Sequence, residues 1–152
     1  MARVRWLDKQ EMAAWLAFLE ASHRVLRSVE RQLRDDSGLS HQQYEILVKL
    51  ADVGPEGMRM TELAESLITS KSGLTYQIGQ LEKRGLVTRD SCPTDVRGVT
   101  ARLTEDGRST LVGAAPGHVE RVREAMIDVL DRDQLTALTD ALSNVSTRLR
   151  GH

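Results

Sequence analysis

Residues 60–103 read MTELAESLITSKSGLTYQIGQLEKRGLVTRDSCPTDVRGVTARL, and the rest of the chain is organised around them. Thr61 is placed to cap a short helix that carries Leu63, Ala64 and Leu67 on one face. A polar break at Thr69-Ser70 then supplies a second cap, because a Ser or Thr oxygen accepts an orphan N–H at a helix start. Leu74, Ile78 and Leu81 follow at i, i+4 and i+7, an apolar stripe that must face a core. Gly85 stands where a left-handed helix stop is cheapest.

The opposite side of that second helix is unusual for a solvated surface. Ser72, Gly73, Tyr76, Gly79, Gln80 and Lys83 point away from the stripe, with Thr75 and Gln77 on the flanks. An ordinary exposed face alternates Glu and Lys; this one is small, uncharged and hydrogen-bonding. Small groups let a helix approach a groove floor, and Gln, Ser and Thr can donate to or accept from base edges. A polar helix with low propensity and no partner is the competing interpretation of this segment alone.

The next segment weighs against it. Leu86–Ser91 and Val99–Leu103 are strand-like and bracket a loop from Cys92 to Gly98. Asp95 sits two residues before Arg97, near enough to orient its guanidinium on a hairpin tip, and an oriented Arg suits a narrow minor groove. A simple loop salt bridge is the alternative. Helix, turn, helix and basic hairpin in this order predict a winged helix-turn-helix.

The TELAESL helix, the run SKSGLTYQIGQLEKRGLV and the segment PTDVRGVTARLTEDG together resemble the MarR family of transcription regulators, over nearly the whole chain. Asp-x-Arg in the hairpin and Leu-Glu-Lys-Arg-Gly-Leu-Val are the most specific pieces. The chain departs from the family pattern at Tyr76 and Val96, where arginines are common. The resemblance implies a homodimer on double-stranded DNA, with the second helix in the major groove and Arg97, held by Asp95, in the minor groove. It places Ser70, Lys71 and Arg84 on phosphates, and Ser72, Gly73, Thr75, Tyr76, Gln77, Gln80 and Lys83 at or beside the bases. It also implies a small aromatic or anionic effector, for which Trp15, His23, Arg27, Tyr44 and Met58 are candidate cavity residues, each equally readable as core or surface.

Composition agrees with this expectation once its distribution is considered. The chain has 152 residues, 40% apolar and 28% charged, with net charge −1. Overall acidity argues against a nucleic-acid partner. Within residues 69–103, however, six basic residues stand against three acidic ones, so that segment carries +3 and the remainder −4. Charge is segregated, as a protein meeting phosphates with one surface requires.

The flanks read as helices. Asp8 and Glu11 form a capping box that opens a long one, with Met12, Trp15, Leu19, Leu26, Val29 and Leu33 on its apolar side, ending at Asp35–Gly38. Ser40 and Gln43 open the next, whose expected core face is Tyr44, Leu47, Val48 and Ala51; Gly54–Gly57 is a turn, and a short strand is expected near Met58–Met60. Thr104 caps a further helix that Pro116 is expected to kink or interrupt. Asp131 and Gln134 cap the last, where Leu135, Leu138, Leu142, Val145 and Leu149 repeat at steps of three and four. Such half-covered stripes at both ends of the chain predict pairing with a second copy.

The expected architecture is mainly α with a small β-hairpin wing: a dimerisation helix over 1–34, a winged helix-turn-helix over 39–104 and dimerisation helices over 105–152. His23, His41, His118 and His152 have no metal spacing, and no nucleophile elbow, phosphate loop or dinucleotide fingerprint is present. No enzyme activity, cofactor or metal is expected. Cys92 is the single cysteine, so no internal disulfide is possible, which fits a reducing cytoplasm. Arg89 nearby could lower its thiol pKa, but it lacks any partner pattern for a redox switch. No apolar run is long enough to span a membrane, and no signal-peptide pattern opens the chain. A winged-helix protein-interaction module without a DNA target is the alternative function.

Overall fold

The computed structural model describes residues 3–67, 69–92 and 95–150, with only the backbone of Ser91, Cys92 and residues 95–97. In order, the elements are α1 (Lys9–Ser37), α2 (His41–Val53), β1 (Met58–Arg59), α3 (Met60–Ser66), α4 (Lys71–Lys83), β2 (Val87–Cys92), β3 (Asp95–Leu103), α5 (Glu105–Ala125) and α6 (Arg132–Arg150), with a 3-10 turn at Ile127–Val129 before α6. The three strands form one antiparallel sheet in the order β1-β3-β2. The chain divides into two compact units, one of residues 29–118 and one of residues 1–28 with 119–152.

Local signals place most helix starts. The Glu11 amide donates to Asp8 Oδ1 at 2.8 Å and the Asp8 amide to Glu11 Oε2 at 2.9 Å, which is the reciprocal box expected at α1. Ser40 and Gln43 make the same box at α2, and Asp131 and Gln134 make it at α6. Ser70 caps α4, its oxygen accepting from the Gly73 amide at 3.1 Å. Gly85 ends the α4 connection at φ +72°, where a side chain would be strained.

The core of the 29–118 unit is aliphatic. Leu33, Leu39, Ile46, Leu47, Leu50, Leu63, Leu74, Ile78, Leu81 and Val87 are all fully buried. At about 1.5–3 kcal/mol per aliphatic side chain, this cluster is what holds α4 against the rest of the unit and fixes its rotation about its own axis. β1 joins through Met58 opposite Ala101 and Arg59 opposite Thr100. Gly57 permits that approach: a Cβ there would stand 2.3 Å from the Ala101 carbonyl oxygen.

Several local expectations are corrected. In α2 the buried residues are Tyr44, Ile46, Leu47 and Leu50, while Val48 and Ala51 are only half-buried. The helix is packed by both α4 and β3, so its buried arc is wider than a single stripe suggests. α3 starts at Met60 with no side-chain cap, because it emerges directly from the β1 pairing, and Thr61 lies inside it. The hairpin is longer than expected: β2 reaches Cys92 and β3 begins at Asp95, with the register shifting between Ser91 and Cys92. Pro93 and Thr94 lie outside the described residues. Pro116 does not interrupt α5, which runs from Glu105 to Ala125. One missing ladder hydrogen bond is tolerated there, and the helix breaks instead at Met126.

In the other unit the apolar stripes stay uncovered. No α6 residue is buried; Leu142, Val145 and Leu149 are exposed, as are Met12, Trp15, Phe18 and Leu19 on α1. Among the described residues no helix is long and apolar enough to cross a membrane.

Candidate nucleic-acid interface

The outward side of α4 is the candidate surface. Leu74, Ile78 and Leu81 are buried, so Ser72, Thr75, Tyr76 and Lys83 are turned to solvent, with Tyr76 64% exposed. Gly73, Gln77, Gly79 and Gln80 are half-exposed beside them. Gly79 costs roughly 1 kcal/mol of helix stability relative to Ala. Among the described residues nothing lies within 4 Å of its missing Cβ to explain that cost. A surface that a second body approaches closely would explain it.

Hydrogen bonds sort these side chains into free and engaged. Ser70 Oγ is occupied as the cap and lies 3.4 Å from Ser72 Oγ. Thr75 donates to the Lys71 carbonyl at 2.8 Å, a back-bond to its own helix. Gln77 Oε1 accepts from Gln43 Nε2 at 2.9 Å, and Thr69 Oγ1 accepts from Gln42 Nε2 at 3.0 Å. Ser72, Tyr76, Gln80 and Lys83 keep outward polar groups.

The positive segment is less available than its composition suggests. Arg84 donates to the Ser37 and Gly38 carbonyls at 3.1 Å each, closing the C-terminus of α1. Arg89 pairs with Glu82 at 2.9 Å, and that hydrogen bond to Arg89 holds the Glu82 carboxyl below its ordinary pKa. Arg102 pairs with Asp90 and also donates to the Pro55 carbonyl. Lys71 and Lys83 stand exposed at the two ends of α4, with no ion pair among the described residues. The side chains of Asp95 and Arg97 lie outside the described residues.

The family signature covers the same region: the profile described as "MarR family" matches residues 39–99. The fold matches the crystal structure of AbsC, a MarR family transcriptional regulator from Streptomyces coelicolor, at TM-score 0.90 and 41% identity, over 98% of this chain and 100% of that one. It also matches Sco3205, another MarR family regulator from Streptomyces coelicolor solved in complex with DNA, at TM-score 0.91 and 39% identity, over 95% of this chain and 90% of that one. Among curated relatives, the HTH-type transcriptional regulator YkoM of Bacillus subtilis is 30% identical over 136 residues, 86% of this chain and 87% of its own length. This chain belongs to the MarR family. It is a DNA-binding regulator of transcription and not an enzyme.

Within this MarR-family winged helix, α3 and α4 are the helix-turn-helix and β2–β3 the wing. A second feature of the same unit is a cleft of about 350 Å³ lined by His41, Tyr44, Glu45, Val48, Lys49, Ser66, Leu67 and His118. Of the residues considered for an effector cavity, Tyr44 lines it. Trp15, His23 and Arg27 belong to the other unit, and Met58 is in β1. The sequence gives no sign that His41 and His118 are paired, since 77 residues separate them. Folding brings their rings to a centroid distance of 6.0 Å.

Proposed function

We propose that the protein is a homodimeric, ligand-responsive repressor that binds a pseudo-palindromic operator in the cytoplasm. The observation that carries DNA readout is the outward face of α4, small and hydrogen-bonding, on a helix whose rotation is fixed by Leu74, Ile78 and Leu81. Ser72, Tyr76 and Gln80 face base edges from the major groove, while Gly73 and Gly79 let the backbone come close. Gln77 reads from the flank. Lys71, Lys83 and Ser70 meet phosphates, together with the amides of the first turn of α4. Arg97, oriented by Asp95, enters the flanking minor groove. The DNA complex of the 39%-identical Sco3205 supports this placement of the same fold.

Phosphate contact by Arg84 loses its support, because its guanidinium already closes α1. The uncovered stripes of α1 and α6, which leave large apolar side chains in water, support dimerisation. The terminal helices, over 1–34 and 105–152, are then the dimerising parts and 39–104 the DNA-binding domain. Two-fold symmetry sets half-sites about one helical turn apart. Repression needs only occupancy of promoter DNA, and an effector in the cleft at Tyr44 would regulate it. The test is selection of duplexes from a randomised pool, followed by titration of the selected site over a salt series. A protein that enriches no sequence and binds all duplexes alike would leave the protein-interaction reading.

A further inference from the structure

We infer that Gln43, a residue of α2 outside the DNA-facing helix, sets the hydrogen-bonding polarity with which Gln77 meets DNA. The inference rests on the placement of α4 in the major groove proposed above. It starts from the capping box of α2. The Ser40 amide can only donate, and it donates to Gln43 Oε1 at 3.1 Å. With its oxygen committed to the cap, the Gln43 side chain turns its nitrogen toward α4. An amide nitrogen can only donate, so Gln77 presents its oxygen, and the two meet at 2.9 Å. The Gln77 nitrogen is therefore the group left over. It has no partner among the described residues and is not among the buried orphans, so it reaches solvent.

Two further observations hold this geometry. Leu74, Ile78 and Leu81 are fully buried, which prevents α4 from rotating to release the bond. Gln42, beside Gln43, makes a parallel contact to Thr69 at the turn before α4, so the first turn of α2 grips the reading helix twice. Gln77 lies on the flank shared with Gly73 and Gln80, at i, i+4 and i+7, and Gly73 has no side chain to cover it.

A free glutamine recognises adenine by using both ends of its amide, accepting from N6 and donating to N7. Gln77 cannot do this while its oxygen is turned back to α2. Its outward group is a donor, for which the major-groove acceptors are guanine N7/O6, thymine O4 and, through a single bond, adenine N7, while cytosine offers it only a donor. Gln43 is thus a positioning residue and Gln77 a specificity-determining one.

The test reverses the polarity from either end of the bond. In Gln43→Glu, one carboxylate oxygen still accepts from the Ser40 amide, so the capping box survives. The other oxygen can only accept, so Gln77 must turn its nitrogen inward and its oxygen outward. Gln77→Glu reaches the same outward acceptor without changing α2. Each variant is put through selection from randomised duplexes beside the wild type, with thermal unfolding measured in parallel. The expected result is a change at one base position per half-site, with cytosine, whose N4 can only donate, rising against guanine and thymine by roughly tenfold in relative affinity. A folded Gln43→Glu protein that selects the wild-type sequence, whether at full affinity or uniformly weakened, overturns the inference. So does a Gln77→Glu protein with an unchanged profile. If the wild type itself selects no sequence, it is the placement of α4 on DNA that fails.

Discussion

The His118 ring packs against the Tyr44 ring, with centroids 4.2 Å apart, and joins α5 to α2 within the 29–118 unit. His41 also stacks with the His118 ring, at a centroid distance of 6.0 Å, and the His118 Nδ1 is buried with no partner among the described residues. Burial, and after it the charge of a protonated His41, holds the His118 pKa below the ordinary histidine value of about 6.5. The folded state therefore binds the proton less well than the unfolded chain. The stability this group contributes is complete above about pH 6.5 and declines as the pH falls below it toward the depressed folded value. Chemical denaturation at pH 8, 7, 6 and 5 should show a loss that is smaller in His118→Phe, which keeps a ring against Tyr44 but cannot titrate. Parallel pH curves for the two proteins would exclude His118 as the source.

Arg84 joins residues 46 and 47 positions away by donating to the Gly38 and Ser37 carbonyls. The Ser37 carbonyl is one of the orphan acceptors at the C-terminus of α1 and the Gly38 carbonyl directly follows it, an end that a cation also favours through the helix dipole. Arg84→Ala should lower unfolding free energy by about 1 kcal/mol, toward the low end for charged hydrogen bonds because the side chain is exposed. DNA affinity, measured on protein shown to be folded, should change less than twofold. A large affinity loss with unchanged stability would return Arg84 to the phosphate contacts.

Arg97 stands near the turn of a Pro-Thr-Asp-Val-Arg-Gly hairpin. Removing it should leave thermal unfolding nearly unchanged and weaken operator binding strongly, since a dimer loses the contact twice. The slope of log affinity against log salt should become shallower by roughly one unit for each phosphate equivalent lost. Asp95→Ala should reproduce part of the defect by freeing the guanidinium. Wild-type affinity and slope in folded Arg97→Ala protein would mean that the wing does not touch DNA.

Leu138 and Leu142 lie on the uncovered stripe of α6, where Leu142 is 38% exposed within the chain. Changing both to Asp should convert a dimer into a monomer in sedimentation, because two carboxylates in an apolar seam lose their hydration. Operator affinity should fall by several orders of magnitude as bivalence is lost. Tight binding to a full palindrome by a proven monomer would contradict the bivalent mechanism.

Much of the fold was legible along the chain because it is decided by residues three or four positions apart. Asp8–Glu11, Ser40–Gln43, Ser70–Gly73 and Asp131–Gln134 are such pairs, and each starts its helix where expected. The burial of Leu74, Ile78 and Leu81 likewise follows from periodicity alone, and with it the outward face of α4. Composition also located the basic segment, but only as a sum of charges.

What the linear order left open depends on partners distant in sequence. Ile46 and Leu50 are buried because two elements pack on α2, whereas periodicity assumes one. Arg84, Arg89 and Arg102 count equally in a net charge, yet each is held by a different acceptor that only folding delivers. The same holds for the paired rings of His41 and His118, and for Gln77, whose residue type names an amide without saying which end faces outward. That choice passes from the Ser40 amide through Gln43, 34 residues earlier, because hydrogen-bond polarity propagates along a chain of fixed donors and acceptors.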